Sequence, residues 1–166
     1  MTKSVRKKDE AAQSLRMNER KWFKPLMDAG WTAIPAVIIE RQAALGLDAL
    51  DVNILLHLAN HWWTADNKPH PAKGTIAKAV GVDPRTVQRH IAKMEAAGFI
   101  RREERRIPGK GSRTNLYHFD GLIAEAKPFA EEKLAERRRR EQEDKARPGR
   151  KGRPRLTVVG GSDDED

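Results

Sequence analysis

Apolar positions recur at helical spacing through the middle of the chain and change to a strand-like pattern just beyond it. In "PRTVQRHIAKMEAA", Val87, Ile91 and Met94 fall four and three residues apart and form one inward stripe. Asp83 precedes the run as an N-cap whose carboxylate can accept from a free N–H of the first turn. Pro84 suits the first helical position, where a missing donor is harmless. Gly98 follows as a left-handed cap, so the spacing predicts a helix over residues 84–97. Upstream, "KGTIAKAVG" predicts a short helix from Lys73 to Val80, with Ile76, Ala77 and Val80 inward and Gly81 closing it. An earlier helix starts near Asp48 and carries Ile54, Leu55, Leu58 and Trp62 on one face, which makes it the expected core helix. A first helix is expected from Pro35 to Ala44, ending before Gly46.

Beyond Gly98 the pattern becomes that of a hairpin. In "FIRREERRIPGKGSRTNLYHFD" a strand around Phe99 to Arg106 meets a Pro-Gly-Lys-Gly-Ser turn, and a second strand follows around Thr114 to Phe119. A short helix holding Leu122 and Ile123 is expected next, with a new start permitted at Pro128. "FAEEKLAERRRREQEDKA" can be helical through Glu136–Arg140 and Arg137–Glu141 pairs at supporting spacing. It has no apolar heptad and is not read as a dimerising coiled coil.

Two short helices joined by a tight glycine-containing turn form the helix-turn-helix layout, whose second helix enters a DNA major groove. With the basic hairpin behind them, the segments resemble a winged helix-turn-helix. The ordered string is similar to a helix-turn-helix family of phage- and plasmid-encoded replication and regulatory proteins. "GWTAIPAVIIERQAALGLDALDVNILLHLANHWW", "RTVQRHIAKMEAAGFIRR" and "NLYHFDGL" carry that likeness, which spans roughly Trp31 to Ile123. One departure is Ala72, where the family usually has a serine cap before Lys73. The resemblance implies DNA binding and leaves open which process the binding serves. The expected fold class is mainly α with a small β-hairpin. The expected organisation is a flexible arm over residues 1–20, the winged domain over 21–125, a charged helix over 126–146 and a disordered tail over 147–166.

Charge agrees with that class. The 166 residues include 33 basic and 24 acidic side chains for a net +9, and hydrophobic residues make up 38%. The distribution matters more than the total: residues 31–70 carry a net −2 and residues 71–120 a net +6. A basic segment on a slightly acidic support is the electrostatic footprint of a polyanion-binding face. The absence of cysteine excludes a disulfide framework and a thiolate metal site. No segment reads as a secretory signal, and "AIPAVII" is too short to span a membrane. A cytoplasmic, nucleoid-associated protein is expected.

The residues expected to touch DNA follow from their places. Arg85, Thr86, Gln88, Arg89 and Lys93 lie opposite the apolar stripe of the second motif helix. Arginine matches guanine and glutamine matches adenine in bidentate geometry, so this face is the expected base reader. Lys73 and Thr75 open the first motif helix, and Arg105, Arg106, Lys110 and Arg113 sit on the wing; these are expected to hold the backbone. In the tail, Arg150, Lys151, Gly152, Arg153, Pro154 and Arg155 resemble an AT-hook, whose Gly-Arg-Pro core lies in a narrow A·T minor groove. Here Lys151 replaces the usual leading arginine. A generic basic tail is the alternative, binding any nucleic acid through counterion release.

No catalytic constellation is evident. His57 and His61 are four apart, but no glutamate takes a zincin position and no cysteine completes a site, so no metal is expected. Asp48 and Asp51 read as helix-start charges beside a cap. Trp62 and Trp63 read as core and core-edge packing rather than a base-stacking platform. There is no P-loop, nucleophile elbow or two-metal acidic set, and the protein is not read as an enzyme. No cofactor or small-molecule ligand is indicated; the expected partner is double-stranded DNA, and a homodimer is allowed without being required. A transcriptional regulator of a mobile element leads. The DNA-binding module of a replication initiator and a nucleoid-type architectural protein remain as alternatives. Only about 45 mostly charged residues follow the wing, which disfavours an initiator needing a further domain.

Overall fold

The structure, a computed structural model, describes residue 13, residues 16–107 and residues 111–146. Residues 1–12, 14 and 15 of the arm expected over 1–20, the turn at Pro108–Lys110 and the tail over 147–166 lie outside the described residues. Helical turns over residues 16–22 (α1) precede α2 (Lys24–Asp28), α3 (Ala36–Glu40), α4 (Ala49–Ala59), α5 (Lys73–Val80) and α6 (Pro84–Ala96). Short strands β1 (Arg101–Glu103), β2 (Arg106–Ile107), β3 (Gly111–Ser112) and β4 (Leu116–His118) follow, then α7 (Asp120–Ala146). The chain forms two compact units that meet in sequence between Ala130 and Glu131.

In the first unit α4 supplies the centre of the core. Ile54, Leu55 and Leu58 are fully buried, together with Ile76 of α5 and Val87, Ile91 and Met94 of α6. Burying each such side chain contributes about 1.5–3 kcal/mol, so these three helices hold one another chiefly through this cluster. Asp48 starts α4 with a reciprocal cap. Its Oδ1 accepts from the Leu50 and Asp51 N–H groups at 2.9 Å, while Asp51 Oδ2 accepts from the Asp48 N–H at 2.9 Å.

The turn between α5 and α6 needs one glycine. Gly81 has φ 79°, and the N–H groups of Gly81 and Val82 both donate to the Ala77 carbonyl, at 2.9 and 3.0 Å. Asp83 then caps α6 by accepting from the Arg85 N–H at 2.7 Å. By contrast Ala72, at the start of α5, offers no side-chain cap.

The hairpin is antiparallel and interrupted. Arg101 pairs with His118, Arg102 with Tyr117 and Glu103 with Leu116, whereas Arg106 pairs with Ser112 and Ile107 with Gly111. Between those ladders residues 104 and 105 face residues 113 to 115, so the returning strand carries one extra residue, a bulge. The fold is a mainly α domain with a small antiparallel hairpin behind its motif helices, a winged helix-turn-helix.

Two expectations change. The helix expected from Pro35 to Ala44 stops at Glu40: Arg41 leaves helical geometry at φ −109° and ψ 17°, and a separate turn closes through Leu47 N–H to the Gln42 carbonyl at 2.9 Å. The helix after Phe119 does not end before Pro128 but runs through it to Ala146. Leu122 and Ala126 are buried, and Phe129 and Ala130 pack on the core beyond the proline. Pro128 itself is exposed, so the carbonyl it leaves unpaired can be hydrated while packing on both sides holds the helix. Of the two apolar residues that open this helix, Leu122 is buried and Ile123 is 51% exposed. The base of α7 also approaches the end of α6 closely. A Cβ on Gly121 would lie 1.7 Å from the Gly98 carbonyl oxygen, and the Leu122 N–H donates to the Phe99 carbonyl at 2.8 Å.

Candidate nucleic-acid interface

α6 has a buried face and an open face because its apolar residues keep one stripe. Opposite Val87, Ile91 and Met94, the side chains of Arg85, Gln88 and Arg89 are exposed, and Thr86 is half-buried at the edge. Among the described residues Arg85 and Arg89 have no carboxylate partner. Lys73 Nζ donates to Gln88 Oε1 at 3.1 Å, joining the start of α5 to the middle of this face. Thr75 is exposed on the first turn of α5.

Lys93 has a different setting from the other cations of α6. Its ammonium donates to Asp51 Oδ2 at 2.6 Å and Asp48 Oδ2 at 3.1 Å, so it is tied to the start of α4. Beside it His90 Nδ1 lies 2.7 Å from Asp51 Oδ1. Asp51 is completely buried and meets three partners: His90, Lys93 and the Asp48 N–H. A buried carboxylate is tolerated when it is paired and hydrogen-bonded in this way. Partial burial acts to raise the Asp48 carboxyl, but the Asp51 N–H and Lys93 outweigh it and bring it down to about 2. The two carboxylates in turn raise Lys93.

Asp48, Asp51 and His90 have ligand-type atoms within 4.8 Å of one another, a spacing a metal ion can use. Lys93 Nζ already supplies a cation to both carboxylates, so the group is an ion-pair network anchoring α6 to α4. This network went unread in the sequence, where Asp48 and Asp51 were helix-start charges and His90 had no role. The usable signal was His90 next to Ile91 and three residues past Val87, on the flank of the inward stripe.

The wing places its cations unequally. Arg105 folds onto the bulge, donating to the Thr114 carbonyl at 3.0 Å and the Thr114 hydroxyl at 3.1 Å. Arg113 is exposed, and its N–H donates to the Arg105 carbonyl at 2.9 Å. Arg106 contributes its backbone to the β2–β3 ladder. Arg102 pairs with Glu95, which ties β1 to the end of α6 and holds the Glu95 carboxyl below its ordinary range. Lys110 and the tail residues Arg150, Lys151, Gly152, Arg153, Pro154 and Arg155 lie outside the described residues.

The tryptophan pair divides. Trp62 stacks on Phe119 with ring centroids 5.2 Å apart and a 6° interplanar angle, and Lys68 Nζ sits 5.2 Å from its ring. Trp63 is 72% exposed, which overturns core-edge packing: α4 ends at Ala59, and only the first of the pair turns inward. His57 is half-buried, His61 exposed, and His70 Nδ1 meets the Lys68 carbonyl at 3.1 Å.

A family model described as a helix-turn-helix domain matches residues 45–100, which contain α4, α5 and α6. Such a domain is a DNA-binding module. Among curated proteins none matches this chain. A solved structure named "Possible transcriptional regulator from Methanosarcina mazei Go1" is similar over 66% of this chain and 85% of its own, with 21% identity and a TM-score of 0.40. Among the described residues no helix is long and apolar enough to cross a membrane.

Proposed function

We propose that the protein is a sequence-specific DNA-binding transcriptional regulator of a phage, plasmid or other mobile element, and that α6 enters the major groove. The exposure of Arg85, Gln88 and Arg89 along one face of a helix fixed from within carries this reading. Each guanidinium can bridge O6 and N7 of a guanine, and the Gln88 amide can bridge N6 and N7 of an adenine. Lys73 holds one lone pair of Gln88 Oε1 and leaves the second for the base, so it orients the reader. The helix-turn-helix match over residues 45–100 supports DNA binding. The wider likeness of residues 31–123 to phage- and plasmid-encoded proteins supports the mobile-element setting.

The wing cations Arg105, Arg106, Lys110 and Arg113 serve the phosphate backbone or adjacent minor groove, with Lys73, Thr75 and Lys93 at the edges of the base-reading face. The tail acts as an AT-hook, Arg153 along the groove floor and Lys151 and Arg155 on its walls. Replacing the tail by a reordered segment of equal composition should reduce affinity on A·T-flanked sites and leave G·C-flanked sites unchanged. Equal affinity on both would make the tail a cation run.

The direct test is Arg89→Ala, measured by fluorescence anisotropy on the preferred site and on random duplex of equal length. A loss of about 1–3 kcal/mol on the preferred site, and much less on random DNA, is expected. Equal losses would place Arg89 on phosphate and sink the assignment.

A further inference from the structure

A surface made of other residues remains. Trp22, Leu26, Met27, Gly30 and Trp31 line a shallow depression, and a second, lined by Trp31, Asn60, Trp62 and Trp63, adjoins it. Met27, Gly30, Trp31 and Thr32 belong to both, so the two form one continuous face. Trp22 is 62% exposed, Leu26 60%, Trp31 55% and Trp63 72%. Taking about 250 Å² for a whole tryptophan, these side chains leave roughly 550 Å² of apolar surface in water. The largest patch on an ordinary monomer is about 300–600 Å² and often marks an interaction site. A standard interface takes about 800 Å² per partner, and homodimer interfaces are about 65% apolar, or roughly 520 Å². The face therefore supplies the apolar share of one half of such an interface.

Its chemistry selects the occupant. No residue lining either depression is charged and Lys24 is already paired with Asp28, so apart from Lys68 at the Trp62 ring a phosphate backbone finds little cation to hold it and a charged peptide little counter-charge. Among the polar groups of the floor the Thr32 hydroxyl already donates to Asn60 Oδ1 at 2.6 Å, and the Trp62 indole N–H is buried without a partner among the described residues whether or not the face is covered. The face also carries both shapes a two-fold contact needs: projecting indoles, and a hollow at Gly30, where a Cβ would meet nothing within 4 Å. A self-complementary patch pairs isologously. We propose that this face joins two copies of the chain about a two-fold axis, with Trp31 of each copy seated in the hollow of the other. This does not depend on DNA binding, and no α6 residue takes part.

The test is sedimentation equilibrium of the full chain without DNA, at concentrations up to about 100 μM, where even a micromolar dimer is nearly all paired. The expected species has twice the 18.8 kDa chain mass. Trp31→Glu and Leu26→Lys should each raise the dimer dissociation constant more than about thirtyfold, as truncating an interface hot spot does. Both sites are exposed, so circular dichroism should not change, and at concentrations where the wild type is itself monomeric the unfolding midpoint should not move. A wild-type chain that stays monomeric overturns the proposal, as does a dimer that survives both substitutions. A monomer whose tryptophan emission shifts on deleting residues 147–166 would give the face to the chain's own tail. One whose emission is quenched only by added DNA would give it to nucleic acid.

Discussion

α6 and the outer part of α7 are both arginine-rich helices, yet they present their charge in opposite ways. α6 buries Val87, Ile91 and Met94 and ties Lys93 and His90 to Asp51, which leaves Arg85 and Arg89 outward with no carboxylate partner among the described residues. From Glu131 to Ala146, α7 has no buried residue. There Arg137 meets Glu141, Arg139 meets Glu143 and Arg140 meets Glu136, each one turn apart. Such exposed pairs stabilise a helix by about 0.3–0.5 kcal/mol each and neutralise one another locally. Residues 121–146 hold seven basic and seven acidic side chains, so the net +5 of residues 121–155 arises entirely after Ala146. Counted charge and available charge differ, and a buried opposite face with no competing carboxylates is what makes arginine available.

The contrast collapses most completely when α6 loses the elements that fix it. Gly121→Ala forces a Cβ to 1.7 Å from the Gly98 carbonyl oxygen, a backbone atom that cannot rotate aside. Either the base of α7 or the end of α6 must shift, and we expect at least about 3 kcal/mol of lost stability by urea denaturation. A loss below about 1 kcal/mol would mean the two segments separate freely.

Asp51→Ala comes next. It removes the cap on the Asp48 N–H and leaves His90 and Lys93 without their shared carboxylate, for an expected loss of about 2–4 kcal/mol. Arg85 and Arg89 would remain present but less well placed, so affinity for the preferred site should fall more than affinity for random DNA. Equal losses would deny the network any part in aiming α6. The same corner predicts acid sensitivity. Asp48 titrates near 2 in the fold against an ordinary 3.8, so its contribution is complete above about pH 4 and is lost as pH falls through 2. In Asp48→Asn that part of the pH dependence of stability should vanish.

A change in binding rather than in stability addresses the two helices directly. Replacing Arg85 and Arg89 together by alanine should weaken the preferred complex by about 2–5 kcal/mol. Replacing Arg139 and Arg140 should change it by less than about 0.5 kcal/mol and lower helix stability by a few tenths. Comparable losses in titration calorimetry would mean that paired and unpaired arginines serve DNA alike.

How far the fold could be read from the chain varied with the range of the forces. α5 and α6 emerged nearly to the residue, because caps, glycines and apolar spacing are local signals. Pro128 misled, since a local rule against proline was overridden by packing of Leu122, Ala126 and Phe129 on either side. The hairpin was visible, but its bulge was not, because a one-residue difference between strands has no composition of its own. The Asp51–His90–Lys93 network has one local trace, His90 on the flank of the inward stripe, but its partners lie some forty positions away. Trp63, expected at the core edge, is exposed because adjacent residues past a helix end point in different directions.

The smallest expected effect concerns how α5 and α6 begin. α6 has Asp83 accepting from the Arg85 N–H, whereas Ala72 at the same position of α5 has only its carbonyl to offer, to the Thr75 N–H at 3.0 Å. Its backbone, at φ −70° and ψ 141°, already has the extended geometry of an N-cap. Ala72 is also exposed, so an added hydroxyl meets no packing penalty. A serine there needs no rearrangement to place Oγ near the first-turn N–H groups. Ala72→Ser should therefore stabilise the domain by about 0.5–2 kcal/mol and raise its unfolding midpoint by a few degrees. The reciprocal change, Asp83→Ala, should lose a similar amount from α6. DNA affinity should stay within about twofold for Ala72→Ser, because on the proposed function α5 supports Gln88 through Lys73 and reads no base itself. Calorimetric melts of the two variants beside the wild type decide it. If the serine gives no gain while Asp83→Ala is costly, the start of α5 is already satisfied by water, and only α6 draws stability from a side-chain cap.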